Sequence, residues 1–127
     1  MAVLNPYAQY KDLTVNTATP GMLIIMLFEG AVKNINIAIK AIDEKNVQQA
    51  HDALIKTQDI YSSLMFSLNE NVQISAQLKN LYAYILDRLA EANIKKDVDI
   101  LHEVLGYTQE FRDTWKEAER KIHMGQS

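Results

Sequence analysis

Thr19-Pro20 opens a stretch, GMLIIMLFEGAVKNINIAIKAID, whose apolar residues recur at helical spacing without a break to about residue 43. Threonine is a favoured N-cap, and proline at the first helical position has its φ preset and no N–H to leave unsatisfied. On a helical wheel Leu23, Ile24, Leu27, Phe28, Ala31, Ile35, Ala38 and Ile42 form the middle of the apolar face. Ile25, Val32 and Ile39 widen it on one side, and Met26 and Ile37 on the other. The polar strip is narrow: Glu29, Lys33, Asn36 and Lys40. A helix so apolar around its circumference is either deeply buried by its own chain or lends surface to a partner.

Three further stripes provide the cover. Asn46 with Gln49 reads as a capping box, followed by Val47, Ala50, Leu54, Thr57, Tyr61, Leu64 and Leu68 at helical spacing. The segment NENVQ interrupts the pattern. Ile74, Leu78, Leu81, Tyr82, Ile85, Leu89 and Ala92 then mark a third helix. Asp97 or Asp99 can cap a fourth, with Leu101, Val104, Thr108, Phe111, Trp115, Ala118 and Ile122 on its face. Phe111 and Trp115, lying on that stripe, are expected in the core, and Gly30 at a close helix crossing. Connections of a few residues make consecutive helices antiparallel neighbours. The expected fold is all-α: an antiparallel up-down-up-down four-helix bundle over 19–127, with helices about 20–43, 47–68, 74–93 and 98–122, after an N-terminal arm of residues 1–18.

Composition removes several functions. A net charge of −3 and a pI near 5.5 give no basic surface for nucleic acid or anionic membrane. The chain has no cysteine, hence no disulfide, thiolate metal site or thiol catalysis. No apolar run approaches a membrane span, the N-terminus has no signal-like apolar region, and a reducing cytoplasm is the expected location. Chemistry is equally sparse. A di-iron bundle needs inward Glu and Glu-x-x-His pairs, and the nearest match, Asp99-x-x-His102, points away from the Leu101/Val104 stripe. His51 could serve as a phosphotransfer histidine, but HDALIK lacks the Lys-Gly pair that such modules place after it. There is no phosphate-cradling glycine loop and no nucleophile with an evident base. The expectation is a non-enzyme with no cofactor, metal or small-molecule substrate.

Apolar residues outside the stripes point instead to partner binding. Ile55 and Phe66 fall outside the second stripe, Met22 and Met26 flank the first helix's polar strip, and Tyr82 with Leu86 widens the third helix's face. In the arm, NPYAQY (residues 5–10) carries Tyr7 and Tyr10 beside a proline that disfavours helix. Amphipathic rings of this kind need a surface to dock on. These eight residues are the partner-binding candidates.

The sequence resembles the flagellin-specific export chaperones, the FliS family of bacterial flagellar type III secretion. The matching stretches are NPYAQY, VNTATPGMLIIMLFEGA (15–31), LIKTQDIYSSLMFSLN (54–69), LYAYILDRLAEAN (81–93) and VLGYTQEFRDTWKEA (104–118). The block T-A-[ST]-P…M-L-[FY]-[DE]-G-A is specific to that family. The resemblance implies a cytoplasmic four-helix bundle that binds the disordered C-terminal segment of flagellin. It would thereby prevent premature polymerisation and deliver its cargo to the export gate, with the arm at Tyr7 and Tyr10 taking part. The phosphotransfer reading through His51 stands beside it as the alternative from another class.

Overall fold

Four helices make up residues 19–69 and 73–125, the part of the chain described by this computed structural model: α1 (Pro20–Asp43), α2 (Val47–Phe66), α3 (Gln73–Lys95) and α4 (Val98–Gly125). The arm with Tyr7 and Tyr10 lies outside the described residues. Each helix packs on its neighbours in sequence, and α4 returns to pack on α1, so the four close into a ring. The architecture is an all-α four-helix bundle.

Local chemistry fixes the helix ends. Thr19 Oγ1 accepts from the Met22 backbone N–H at 3.1 Å, and Asn46 Oδ1 accepts from that of Gln49 at 3.1 Å. The Gln49 side chain answers the Asn46 amide (3.2 Å) rather than its backbone, a variant of the capping box. Asp97, not Asp99, caps α4, accepting from the Asp99 N–H at 2.9 Å. The stripe of α2 runs to Leu68, but the helix stops at Phe66. There Ser67 Oγ takes the Leu64 carbonyl at 2.8 Å, and Leu68 N–H turns back only to Met65.

Two turns share one device. After α1, Asn46 N–H bonds the Ala41 carbonyl (2.7 Å) and Lys45 N–H that of Ile42 (3.0 Å), which is a Schellman ending with Lys45 at φ 60°. After α3, Asp97 N–H bonds the Ala92 carbonyl (3.2 Å) with Lys96 at φ 51°. A left-handed conformation costs an L-residue with a Cβ roughly 1–2 kcal/mol, and glycine avoids that cost. Lys45→Gly is therefore expected to raise stability by up to about 1 kcal/mol in urea unfolding, after allowance for the freer unfolded chain.

The core is organised around one aromatic ring from each helix: Phe28, Tyr61, Tyr82 and Phe111. Their centroids form a closed circuit of 6.4, 5.7, 5.6 and 5.4 Å, three contacts edge-to-face and the last, Phe111 on Phe28, stacked. Such pairs add about 0.5–1.5 kcal/mol beyond their buried area. Above and below lie Leu27, Ala31, Ile35, Leu54, Leu64, Ile85, Leu89, Leu101 and Val104, all buried. A buried polar chain crosses this layer with its donors satisfied: Tyr61 donates to Thr108 Oγ1 (2.6 Å), which donates to the Val104 carbonyl (2.8 Å).

This layer corrects the reading of Tyr82 as partner-binding surface, because the residue is 2% exposed. Leu81 and Tyr82 are both apolar, and the face that turns inward is Tyr82, Ile85, Leu89 and Ala92. Leu81 is displaced to the edge. A second correction concerns α1, which by length and composition is apolar enough to cross a membrane. Its apolarity is used inside the bundle, where Leu23, Ile25, Leu27, Phe28, Gly30, Ala31, Ile35, Ala38 and Ala41 are buried against α2 and α4.

Burial pushes the Tyr82 phenol up to about 12 from its ordinary 10.0, and raises that of Tyr61 as well. The folded chain thus holds these protons more tightly than the unfolded chain. Their stabilising effect is full below about pH 10 and is lost as pH climbs towards 12. Stability should fall above pH 10 by up to about 1.4 kcal/mol per pH unit for each tyrosine. Tyr82→Phe, followed by chemical unfolding across this range, should remove one tyrosine's share of the slope.

Candidate partner-binding grooves

From the Lys96 turn outwards, α3 and α4 are first clamped together and then part. The clamp is polar and lies on the outer face. Tyr84 donates to Glu103 Oε2 (2.6 Å), Arg88 Nε to Glu103 Oε1 (2.8 Å), Arg88 Nη1 to Glu91 Oε2 (2.7 Å), and Lys95 Nζ to Glu91 Oε1 (2.8 Å). The Tyr84 hydrogen bond, then that from Arg88, holds the Glu103 carboxyl below the usual carboxylate range. Lys95 does the same for Glu91. Tyr84 also meets Tyr107 edge-to-face at 6.4 Å. The ion pairs are solvent-facing and contribute little energy each; their joint effect is to fix the spacing of the two helices.

Beyond the clamp, Ile74, Leu78 and Leu81 of α3 face Tyr107, Phe111, Thr114, Trp115 and Ala118 of α4 across an apolar cavity of about 490 Å³, with Glu110 at its edge. Phe111 is half-buried yet keeps its place in the aromatic circuit, whereas Trp115, expected in the core, is half-buried against its edge and borders this cavity. On the other flank of α3, Ser75, Ala76 and Lys79 line a second cavity, about 520 Å³, with Ser62, Met65 and Phe66 of α2 and Leu68 just beyond it. The first turns of α3 are therefore grooved on both sides. Cavities of this size accept several side chains of an incoming helix or strand.

Among the candidates, Phe66 is 92% exposed and lines the second groove. Met22 and Ile55 are each 39% exposed, whereas Met26 and Leu86 are half-buried. None of these four lines either groove, so the candidates are not gathered into one site. Residues that do line the α3–α4 groove were assigned to core stripes by periodicity. The available signal was the Leu81-Tyr82 doublet: two adjacent apolar positions cannot both point inward.

His51 is exposed, with Nδ1 within 3.0 Å of the Asn93 amide, a contact that joins α2 to α3. Asp99 and His102 are exposed on α4, and no cluster of three metal-ligating side chains occurs among the described residues. A helical bundle with open apolar grooves belongs to a class defined by the surface it offers. Residues 3–122 match the family described as flagellar protein FliS, and the chain belongs to that family. The flagellar secretion chaperone FliS of Bacillus subtilis (strain 168) is 45% identical over 98% of this chain and 96% of its own length. Its Salmonella typhimurium counterpart is 30% identical over 98% and 95%, and that of Vibrio cholerae 26% over 90% and 88%. The family is one of chaperones rather than enzymes.

Because Trp115 borders a cavity, truncating it opens less new void than truncating a core ring. Phe28→Ala is expected to cost about 3–5 kcal/mol in urea unfolding and Trp115→Ala less than about 2 kcal/mol.

Proposed function

We propose that this chain is a cytoplasmic chaperone of flagellar export that binds the disordered C-terminal segment of flagellin. By covering that segment it blocks premature polymerisation, and it passes the cargo to the type III export gate. The observation that carries the reading is the pair of apolar grooves flanking the first turns of α3. Relatives named flagellar secretion chaperones support it. Amphipathic stretches of the cargo would lie helix-in-groove against Leu78, Leu81 and Trp115, and around Phe66. Met22, Met26, Ile55 and Leu86 would add separate apolar contacts outside the two grooves, and Tyr7 and Tyr10 of the arm help hold or present the cargo. Ordering a disordered segment costs about 2–5 kcal/mol of the gross contact energy, which keeps capture over a long footprint reversible at the gate.

Calorimetry with a flagellin C-terminal peptide, in chelator and without nucleotide, is the test. Association should show a negative heat-capacity change, and Trp115 emission should shift to the blue as the groove fills. Ala118→Arg places a long side chain in the groove from an exposed position. It should weaken binding about tenfold or more while changing stability by no more than about 0.5 kcal/mol. Unaltered affinity in Ala118→Arg would remove the α3–α4 groove from the site.

A further inference from the structure

α1 begins without an acidic residue in its first turn, so nothing within the helix balances the positive end of its dipole. The carboxylate that does so comes from the far end of the bundle sequence. Glu119 of α4 accepts a hydrogen bond from Thr19 Oγ1 at 3.3 Å, while the same hydroxyl accepts from the Met22 N–H. Its other oxygen fills the space a Cβ on Gly21 would need, 1.7 Å from where that atom would sit. The Glu119 side chain is only 13% exposed, although it stands near the end of a surface helix. Gly21 is thus the residue that lets a carboxylate from another helix lie directly on the start of α1. One turn earlier on α4, Lys116 pairs with Glu29 of α1 at 3.5 Å. The same stretch of α4 carries Trp115 and Ala118, one wall of the α3–α4 groove.

We infer that Glu119 is a positioning residue for that groove: a carboxylate from α4 that braces the Thr19 cap of α1, fastens the carboxy-terminal half of α4 to α1 and so keeps it off α3. Hydrophobic burial alone would favour the opposite arrangement, with Trp115 collapsed onto Leu78 and Leu81. The fastening holds the groove open before any partner arrives, and a preformed groove spares the partner the cost of opening it. As a binding site the groove rests on the function proposed above; its openness in the free chain does not.

The test compares Glu119→Ala, Glu119→Gln and Gly21→Ala in the free protein and with the flagellin peptide. Gly21→Ala is informative because it expels the carboxylate while leaving Glu119 in the chain and adding a better helix former. In the free variants, acrylamide quenching of Trp115 should fall and its emission shift to the blue as α4 settles on α3. Amide exchange at Met22, whose N–H is held by Thr19 Oγ1, should quicken by up to about fivefold as the cap loses its brace and the helix end its facing carboxylate. Peptide association should slow, and Gly21→Ala combined with Glu119→Ala should be no worse than either alone. Glu119→Gln should fall between wild type and Glu119→Ala, since it keeps an acceptor and loses the charge. Unchanged or increased Trp115 quenching alongside faster Met22 exchange would overturn the inference, leaving Glu119 a brace of the Thr19 cap that does not set the groove. Failure of the wild-type chain to bind the peptide would instead count against the proposed function, with the free-protein readouts unaffected.

Discussion

The circuit of Phe28, Tyr61, Tyr82 and Phe111 is the constraint on which the rest of the bundle depends. Each helix contributes one ring, and each ring touches its two neighbours, so no helix can rotate or slide without breaking two contacts. The Tyr61–Thr108–Val104 hydrogen-bond chain adds direction to this packing. A buried phenol must find a partner, and only one register of α2 against α4 provides it. Towards the Lys45 and Lys96 turns the side chains are aliphatic and tightly enclosed. Towards the other end the bundle loosens, and both grooves lie there.

The loosening is selective. α1 keeps both neighbours along its length, because α4 stays fastened to it through Lys116 and Glu119. α3 is left with the deficit, open towards α2 on one flank and towards α4 on the other. A bundle with α1 packed on both flanks and an under-packed α3 can offer apolar surface without losing its core. That division suits a chaperone, whose own fold has to persist while its binding surface is covered and uncovered.

Much of the fold was legible because its signals are local. Thr19-Pro20 and Asn46 lie within a turn of the N–H groups they cap, and four apolar stripes at helical spacing have few arrangements open to them. What was not legible depends on the third dimension. Periodicity cannot choose between Leu81 and Tyr82 as the inward residue, since that depends on where α2 and α4 stand. It likewise cannot tell that Trp115, in the middle of a regular stripe, faces a gap. Lys45 and Lys96 adopt a conformation usually marked by glycine, so the sharp turns carried no glycine signal. Glu119 and Thr19 are 100 positions apart, and nothing in either neighbourhood announces their contact. Most of the candidate residues lie off the stripes, whereas the α3–α4 groove takes Ile74, Leu78, Leu81, Phe111, Trp115 and Ala118 from them.

The apolar character of α1 has a consequence for how the protein is made. The chain is synthesised from its amino end, so the helix apolar enough for a membrane is produced first, and α4, which closes its second side, is produced last. At about 5–20 residues per second the interval between them is on the order of ten seconds. During that time α1 has only α2 packed against it, and its remaining apolar flank is open to other nascent chains, to chaperones or to a bilayer. The seam between α1 and α4 is also the one pairing of helices distant in sequence, so the step that ends this exposure is the one with the largest loop-closure cost. A member of a chaperone family thus passes, through its own synthesis, a brief interval in which its own apolar surface needs cover.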